Sequence, residues 1–155
     1  MEQHAKQQAV EELLKEFGWY PSREIDITDD ILALKEYNVA VHPAFTKFMK
    51  EFGGLIIEND GFACLELLCK AYIDDEVIRD INFVNTKTQQ DLLLIGSCHL
   101  LYIFIDADGS FYSFLNGDSL GGRLFSCGNN WIEFFYTMCI QSPAPELPSV
   151  VVCGE

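Results

Sequence analysis

Residues 43–57 constrain the fold of this chain more than any other segment, because they combine an aromatic helix face with a sharp corner. Four apolar residues are spaced i, i+3, i+4 and i+7, which places them on one face of a helix: Phe45, Phe48, Met49 and Phe52. Pro43 suits the first helical turn, where its missing N–H is not needed. We expect Gly53 to adopt the left-handed conformation that ends the helix and Gly54 to lead into a strand. The segment contains no phosphate-binding loop or catalytic motif, so it predicts a packed helix-to-strand corner.

The composition predicts one acidic globular domain. The chain has 155 residues, of which 49% are hydrophobic and 13% aromatic, which is enough to build a core. Its formal net charge is −14, and Arg123 is the single Lys or Arg after residue 87. Phosphate backbones are bound by clustered Lys and Arg, so this balance argues against direct binding of nucleic acid. It favours solubility, or a surface that attracts a basic protein.

The chain shows no sign of export, membrane insertion or a metal site. Its N-terminus is polar, and its longest apolar runs fall far short of the ~20 residues that span a bilayer. The six cysteines form no Cys-x-x-Cys pair, which favours free thiols in a reducing cytoplasm. None of the three histidines pairs with a cysteine at the spacing of a zinc finger or ribbon. We therefore expect a cytoplasmic protein without cofactor, metal or membrane contact.

Helical periodicity predicts two helices before the corner and one near the end of the chain. Residues 3–17 repeat the apolar helical spacing, and Gly18 is suited to end this helix. The second helix covers residues 28–37, with Thr28 as its N-cap. The last begins at Asn129 or Asn130, and Asn130 with Glu133 resembles a capping box. With the corner helix, this makes about four helices.

The remaining pattern predicts strands and loops. The predicted strands are residues 24–27, 62–68 and 92–95 and the two arms of a β-hairpin, 100–105 and 111–115. The predicted loops are a turn at 59–61, a surface excursion over 72–90 with a short helix near 75–81, and a flexible connection at 117–122. We expect a single α+β domain over residues 1–141, with a central, mostly antiparallel sheet flanked by the helices. Residues 142–155 form a Pro-containing tail in which 150–152 either pair as an edge strand or stay mobile.

Two patterns suggest catalysis or metal binding, and each is incomplete. Asp106, Asp108 and Ser110 resemble the start of a calcium loop, but an EF-hand needs a Gly and a Glu that are absent at the required positions. Residues 117–122 are rich in Gly and Ser but match neither Gly-x-Ser-x-Gly nor a Walker loop. We therefore expect no catalytic residue and no metal ligand.

A small cysteine-dependent hydrolase remains the least favoured alternative. It would use Cys98 or Cys127 as nucleophile and His99 or His42 as base. No local signature selects any of these four residues.

The order of motifs resembles the SUKH superfamily, and more narrowly its third subgroup. The opening reads Gly-Trp-Tyr-Pro-Ser-Arg at 18–23, and the corner reads Phe-Met-Lys-Glu-Phe-Gly-Gly-Leu at 48–55. The hairpin over 103–114 and the helix that contains Trp131 complete the similarity, which covers residues 9–140. Met49 stands where the family often has Leu, and residues 72–90 match no pattern of the family.

The resemblance implies an α+β immunity protein without catalytic residues, which binds and neutralises a polymorphic or contact-delivered toxin. Many such toxins are nucleases or nucleic-acid deaminases with basic active sites, and an acidic inhibitor suits them by charge. A regulatory or scaffolding SUKH module without a toxin partner is the main alternative. The family supplies no toxin-binding residues to carry over.

Local charge density supplies the candidate contacts with the partner. The first group is acidic and lies in the predicted excursion: Asp74, Asp75, Glu76 and Asp80. The second group consists of Asp106 and Asp108 in the hairpin turn. Complementary charge on such a surface raises association rates and specificity.

Overall fold

A computed structural model describes residues 2–58, 65–99, 101–115 and 122–141, together with the backbone of 149–152. The predicted turn at 59–61, most of the predicted connection at 117–122 and the Pro-containing segment 142–148 lie outside the described residues.

The described residues form six helices and one seven-stranded sheet. The helices are α1 (Gln3–Glu16), α2 (Thr28–Glu36), α3 (Pro43–Phe52), α4 (Cys69–Tyr72), α5 (Asp75–Thr88) and α6 (Trp131–Phe135), which continues as a π-helical segment (Tyr136–Ile140). The strands are β1 (Ile56–Ile57), β2 (Leu65–Glu66), β3 (Leu93–Cys98), β4 (Leu101–Ile105), β5 (Phe111–Leu115), β6 (Gly122–Gly128) and β7 (Ser149–Val152). Every neighbouring pair is antiparallel, and the strands follow one another in chain order. The predicted α+β domain with an antiparallel sheet and a hairpin is confirmed.

The two faces of the sheet are covered by different helices. Because side chains alternate along a strand, Ile103 and Ile105 of β4 join the larger core cluster, while Phe104 joins the smaller one. The larger cluster packs under α1, α2, α3 and α6. The smaller cluster packs under α5, which contributes Val77, Ile81 and other side chains. The helix α5 therefore lies on the face opposite to α3 and α6.

The predicted corner helix is the centre of an aromatic core. Phe48 and Phe52 are buried, with ring centroids 4.9 Å apart. The Phe48 ring lies 5.1 Å from Phe111 of the hairpin, and the Phe52 ring lies 5.1 Å from Trp131 of α6. Aromatic pairs at such distances contribute about 0.5–1.5 kcal/mol beyond their buried area. The face predicted from the helical spacing is thus the face that joins three parts of the fold.

The prediction for the glycine pair was wrong in its order. Gly53 has φ −58°, and it is Gly54 that takes the left-handed region, with φ +82°. Gly53 is needed for space, because a Cβ there would lie 2.5 Å from the carbonyl oxygen of Met49. Glycine is therefore required at both positions, at Gly53 for space and at Gly54 for its φ angle, and these roles differ from the predicted ones.

Two predictions between α1 and α3 were also wrong. Residues 24–27 belong to no strand, because the Ile25 N–H donates to the carbonyl of Lys50 in α3 (2.9 Å) and not to a neighbouring strand. Thr28 is the first helical residue of α2 and not its N-cap. The Asp26 carboxylate accepts from the Thr28 N–H (2.9 Å) and from its hydroxyl, which secures the start of the helix.

The short helix predicted near residues 75–81 is confirmed as the start of α5, but the surface excursion predicted over 72–90 was wrong, because α5 has 14 residues and buries an apolar face. Val77, Ile81 and Val84 are spaced i, i+4 and i+7, a helical signal that the neighbouring polar residues obscured. The strand β6, which includes part of the predicted flexible connection, was not predicted.

The C-terminal part of the fold confirms two expectations. The backbone of β7 pairs with β6 at the edge of the sheet, which is one of the two outcomes left open for residues 150–152. Asn130 is the N-cap of α6 and accepts from the Glu133 N–H (2.9 Å). The Glu133 carboxylate does not complete a capping box, because it pairs with Lys6 of α1 at 3.3 Å.

Candidate partner-binding surface

The start of α5 presents three of the four acids in the first predicted group. Asp74 is the N-cap of the helix, and its carboxylate accepts from the Val77 N–H (2.8 Å). Asp75 and Glu76 occupy the first turn and are exposed. Negative side chains are favourable there because they face the positive end of the helix dipole. The local fold therefore stabilises a cluster of carboxylates that remain accessible to solvent.

Three of these acids act electrostatically on a tyrosine of the sheet. Burial raises the pKa of Tyr102 in β4, and the nearby carboxylates of Asp74, Glu76 and Asp80 raise it further. We call the surface formed by Asp74, Glu76, Asp80 and Tyr102 the α5 acidic patch. It combines acids of the first two turns of α5 and its N-cap with one residue of β4.

Asp75 points to a different neighbour. Burial raises the pKa of Tyr37, which follows α2, and the Asp75 and Asp74 carboxylates raise it further. Tyr37 therefore lies within the electrostatic reach of Asp75. Asp75 thus extends the α5 acidic patch toward α2.

Asp80 is the member of the patch with the least favourable environment. Its Oδ2 atom is buried and has no hydrogen-bond partner in the part of the chain that the structure describes. Burial raises the pKa of Asp80, Glu76 and Asp74 raise it as like charges, and Arg79 offsets part of the shift. A cation brought to this surface would relieve the repulsion between Asp80 and its acidic neighbours.

The second predicted group lies in the turn between β4 and β5 and is divided by burial. Asp106 is 8% exposed, and its Oδ1 accepts from the N–H groups of Asp108 and Ser110 at 2.9 Å each. Its Oδ2 accepts from the Tyr112 hydroxyl (3.3 Å), so this carboxylate organises the hairpin turn. Asp108 is exposed. Among the described residues, the hydrogen bonds of Asp74 and of Asp106 stay within their own segments, and none joins the two groups.

Tyr37 and Tyr102 were not among the predicted site residues. Tyr102 carries a signal in the sequence, because it alternates with buried Ile103 in a strand and must lie on the opposite face. Nothing in the sequence connects Tyr37 with the acids, since the contact depends on how α2 and α5 pack.

The residues proposed for a cysteine hydrolase do not form a site. The Cys127 thiol is buried, and burial raises its pKa, whereas catalysis requires a thiolate. Cys98 is buried while its neighbour His99 is exposed. His42 is the N-cap of α3: its Nδ1 accepts from the Phe45 N–H (3.1 Å), and its Nε2 lies 2.9 Å from the carbonyl oxygen of Asp91. The described geometry gives this alternative no support.

Two other features are absent from the described residues. No three His, Cys, Asp or Glu side chains among them are arranged to hold a metal ion. None of their helices has the length and apolar character needed to cross a membrane.

Comparison with known proteins gives one match. Residues 6–141, most of the chain, match the model of a family described as SUKH-3 immunity protein. No curated protein and no solved structure matches the chain.

Proposed function

Because this chain belongs to the SUKH-3 immunity protein family, we propose that it binds a cognate toxin protein and neutralises it by covering the active site or substrate groove. The family match over residues 6–141 is the observation that carries this proposal. Inhibition is steric and electrostatic and needs no catalytic group. The protein acts in the cytoplasm of the cell that it protects, where such a toxin would meet its substrate.

The charge of the protein supports a basic toxin. The net charge is −14, and the α5 acidic patch concentrates carboxylates at one helix terminus. Toxins that act on nucleic acids, such as nucleases and deaminases, bind phosphates with Lys and Arg. Carboxylates can take the place of those phosphates, so we propose a nuclease or nucleic-acid deaminase as the partner.

The α5 acidic patch, with the adjoining Asp75, is the proposed contact surface. Asp74 and Glu76 are exposed at the start of α5, and half-buried Asp80 carries a buried oxygen without a hydrogen-bond partner in the described chain. The repulsion among these carboxylates lowers the stability of the unbound protein. It favours a complex in which Lys or Arg of the toxin approaches the patch. Interface charges of this kind mainly increase the association rate.

The test compares two variants that lose the same charge. The patch variant carries Asp74→Ser, Glu76→Gln and Asp80→Asn, in which Ser retains the ability to cap α5. The control variant carries Gln at three exposed acids elsewhere: Glu12, Glu16 and Glu24. The probe is the toxin encoded beside the gene, produced in an inactive form, with association measured at low and high salt.

We expect the patch variant to bind the toxin with an association rate reduced about tenfold or more at low salt, and the control to change it much less. Equal rates for both variants would remove the patch from the interface while leaving the immunity function intact. A neighbouring toxin that neither binds the wild-type protein nor is inhibited by it would overturn the function itself.

A further inference from the structure

A cleft lies on the face of the sheet opposite to the α5 acidic patch. It has a volume of about 320 Å³ and is bordered by α3, by the turn between β4 and β5, and by the start of α6. Its size is at the lower end of the range for sites that bury a small ligand. It can therefore accept one large side chain of another protein.

The floor of the cleft is aromatic. Phe48 and Phe52 are 5% and 1% exposed, so they close the floor without offering much surface of their own. Trp131 is half-buried, and its ring lies 5.1 Å from Phe52 and 6.0 Å from Trp19. Trp131 is thus the aromatic side chain that a ligand in the cleft would contact most.

The rim carries two acids and one base. Glu51 of α3 is fixed, because the Trp19 indole N–H donates to its Oε2 at 3.0 Å. Asp108 is exposed in the hairpin turn, whose backbone is fixed by Asp106. Lys47 is also exposed and lines the same cleft. Among the described residues, ion pairs join Lys6 to Glu133 and Lys70 to Asp29 and involve none of these three rim charges.

We infer that this cleft binds an arginine side chain of a partner protein, with the guanidinium against Trp131 and between the carboxylates of Asp108 and Glu51. The rim is negative by two charges to one, which favours a cation. Arg23 also acts on Glu51, but it does not line the cleft, and its guanidinium donates to the backbone carbonyl oxygens of Glu51 and Gly53. Arginine is preferred to lysine because its planar guanidinium stacks on aromatic rings and donates to carboxylates from several N–H groups. Since the cleft and the α5 acidic patch lie on opposite faces, this contact is separate from the proposed toxin surface and can fail independently of it.

The experiment uses the full chain and N-acetyl-arginine amide as the probe. Its citrulline analogue, which has nearly the same shape and no charge, is the control ligand. The chain has two tryptophans, Trp19 and Trp131, and both belong to the cleft or its wall. Their indole N–H signals in an NMR titration therefore report on occupancy.

We expect a saturable millimolar shift of the Trp131 indole signal with the arginine probe and none with citrulline. Ala107→Arg, at an exposed position of the turn, should abolish it by placing a guanidinium in the cleft, whereas Ala5→Arg on exposed α1 should not. Asp108→Asn should weaken binding about two- to fivefold, and Lys47→Gln should strengthen it by a similar factor.

Several results would overturn the inference. These are the lack of a saturable shift, an equal response to citrulline, and an arginine response that Ala107→Arg leaves unchanged. Weaker binding in Lys47→Gln would also overturn it, because that result would mean that the cleft prefers an acidic ligand.

Discussion

The indole N–H of Trp19 donates to the Glu51 carboxylate at 3.0 Å and so joins the segment after α1 to the corner helix α3. Arg23 strengthens the same junction, since its guanidinium donates to the carbonyl oxygens of Glu51 and Gly53. The two motifs that carry the family resemblance are separate in the sequence. In the fold they are the two halves of one contact, which explains why they occur together.

The Trp19–Glu51 hydrogen bond should contribute measurably to stability. Trp19→Phe keeps an aromatic ring beside Phe52 but removes the donor to a half-buried carboxylate. Trp131→Phe is the matched control, because the Trp131 indole donates no hydrogen bond within the described residues. We expect Trp19→Phe to lower the free energy of unfolding by about 1 kcal/mol more than the control in urea denaturation. Equal losses would mean that the two rings matter only through packing.

Arg23 should not be replaceable by lysine. One ammonium group cannot reproduce two N–H donors that reach separate carbonyl oxygens in the planar geometry of a guanidinium. We expect Arg23→Lys to cost about 1–2 kcal/mol of unfolding free energy. Arg123→Lys, on an exposed position of β6, should stay within about 0.5 kcal/mol of the wild type. A loss as small for Arg23 as for Arg123 would contradict the role of Arg23 at the junction.

The two glycines of the corner should respond differently to substitution. Gly54→Ala places a side chain at φ +82°, which costs about 1–2 kcal/mol, and Gly54→Asn should cost less because Asn tolerates this region. Gly53→Ala forces a Cβ to within 2.5 Å of the Met49 carbonyl oxygen and 3.3 Å of Ile25, so the backbone must move. We expect a loss above about 2 kcal/mol for Gly53→Ala. Thermal unfolding that ranks Gly54→Ala as the more damaging change would contradict this geometry.

How much of the fold could be predicted depended on whether the signal was local. The spacing of Phe45, Phe48 and Phe52 predicted α3 because a helical face is visible in the sequence itself. Residues 24–27 show the alternation of a strand, yet their partner is the backbone of α3, which no local pattern reveals. The strand β6 has a glycine at each end and an irregular burial pattern, so it lacks a clear period of two.

The candidate surface was predictable in part for the same reason. The charge density of Asp74, Asp75 and Glu76 is a local property and identified the start of α5. The neighbouring Tyr102 depends on which face of β4 meets α5, and this is fixed by packing across the sheet. For Asp106 the local signal was misleading. Its charge predicted an exposed contact, whereas its hydrogen bonds hold it inside the turn.

His42 should act as a true N-cap of α3. Histidine is not among the residues usually preferred there, but its Nδ1 accepts from the Phe45 N–H. We expect His42→Ala to cost about 1 kcal/mol of unfolding free energy. His42→Asn should recover most of the loss, because Asn is a good N-cap, although it cannot reach the Asp91 carbonyl. If the Asn and Ala variants are equally destabilised, the contact of His42 with Asp91 contributes more to the unfolding free energy than the N-cap does.

Asp80 should destabilise the free protein at neutral pH. Its pKa is raised in the folded state, so the folded protein binds more protons than the unfolded chain between the unfolded pKa of about 3.9 and the raised value. Stability therefore falls as pH rises through this window, and the full cost of the charge is present above it. We expect Asp80→Asn to raise the urea midpoint at about pH 7 and to change it little below about pH 4.

Glu24→Gln provides the control for the Asp80 experiment, because it removes the same charge from an exposed position and tests the general effect of reducing the net charge of −14. An equal gain for both variants would mean that long-range repulsion, and not the environment of Asp80, sets the effect. Proteins commonly retain such unfavourable groups where binding needs them. The same Asp80→Asn variant should therefore be more stable alone and associate more slowly with the toxin, and a stabilised variant with undiminished association would exclude Asp80 from the interface.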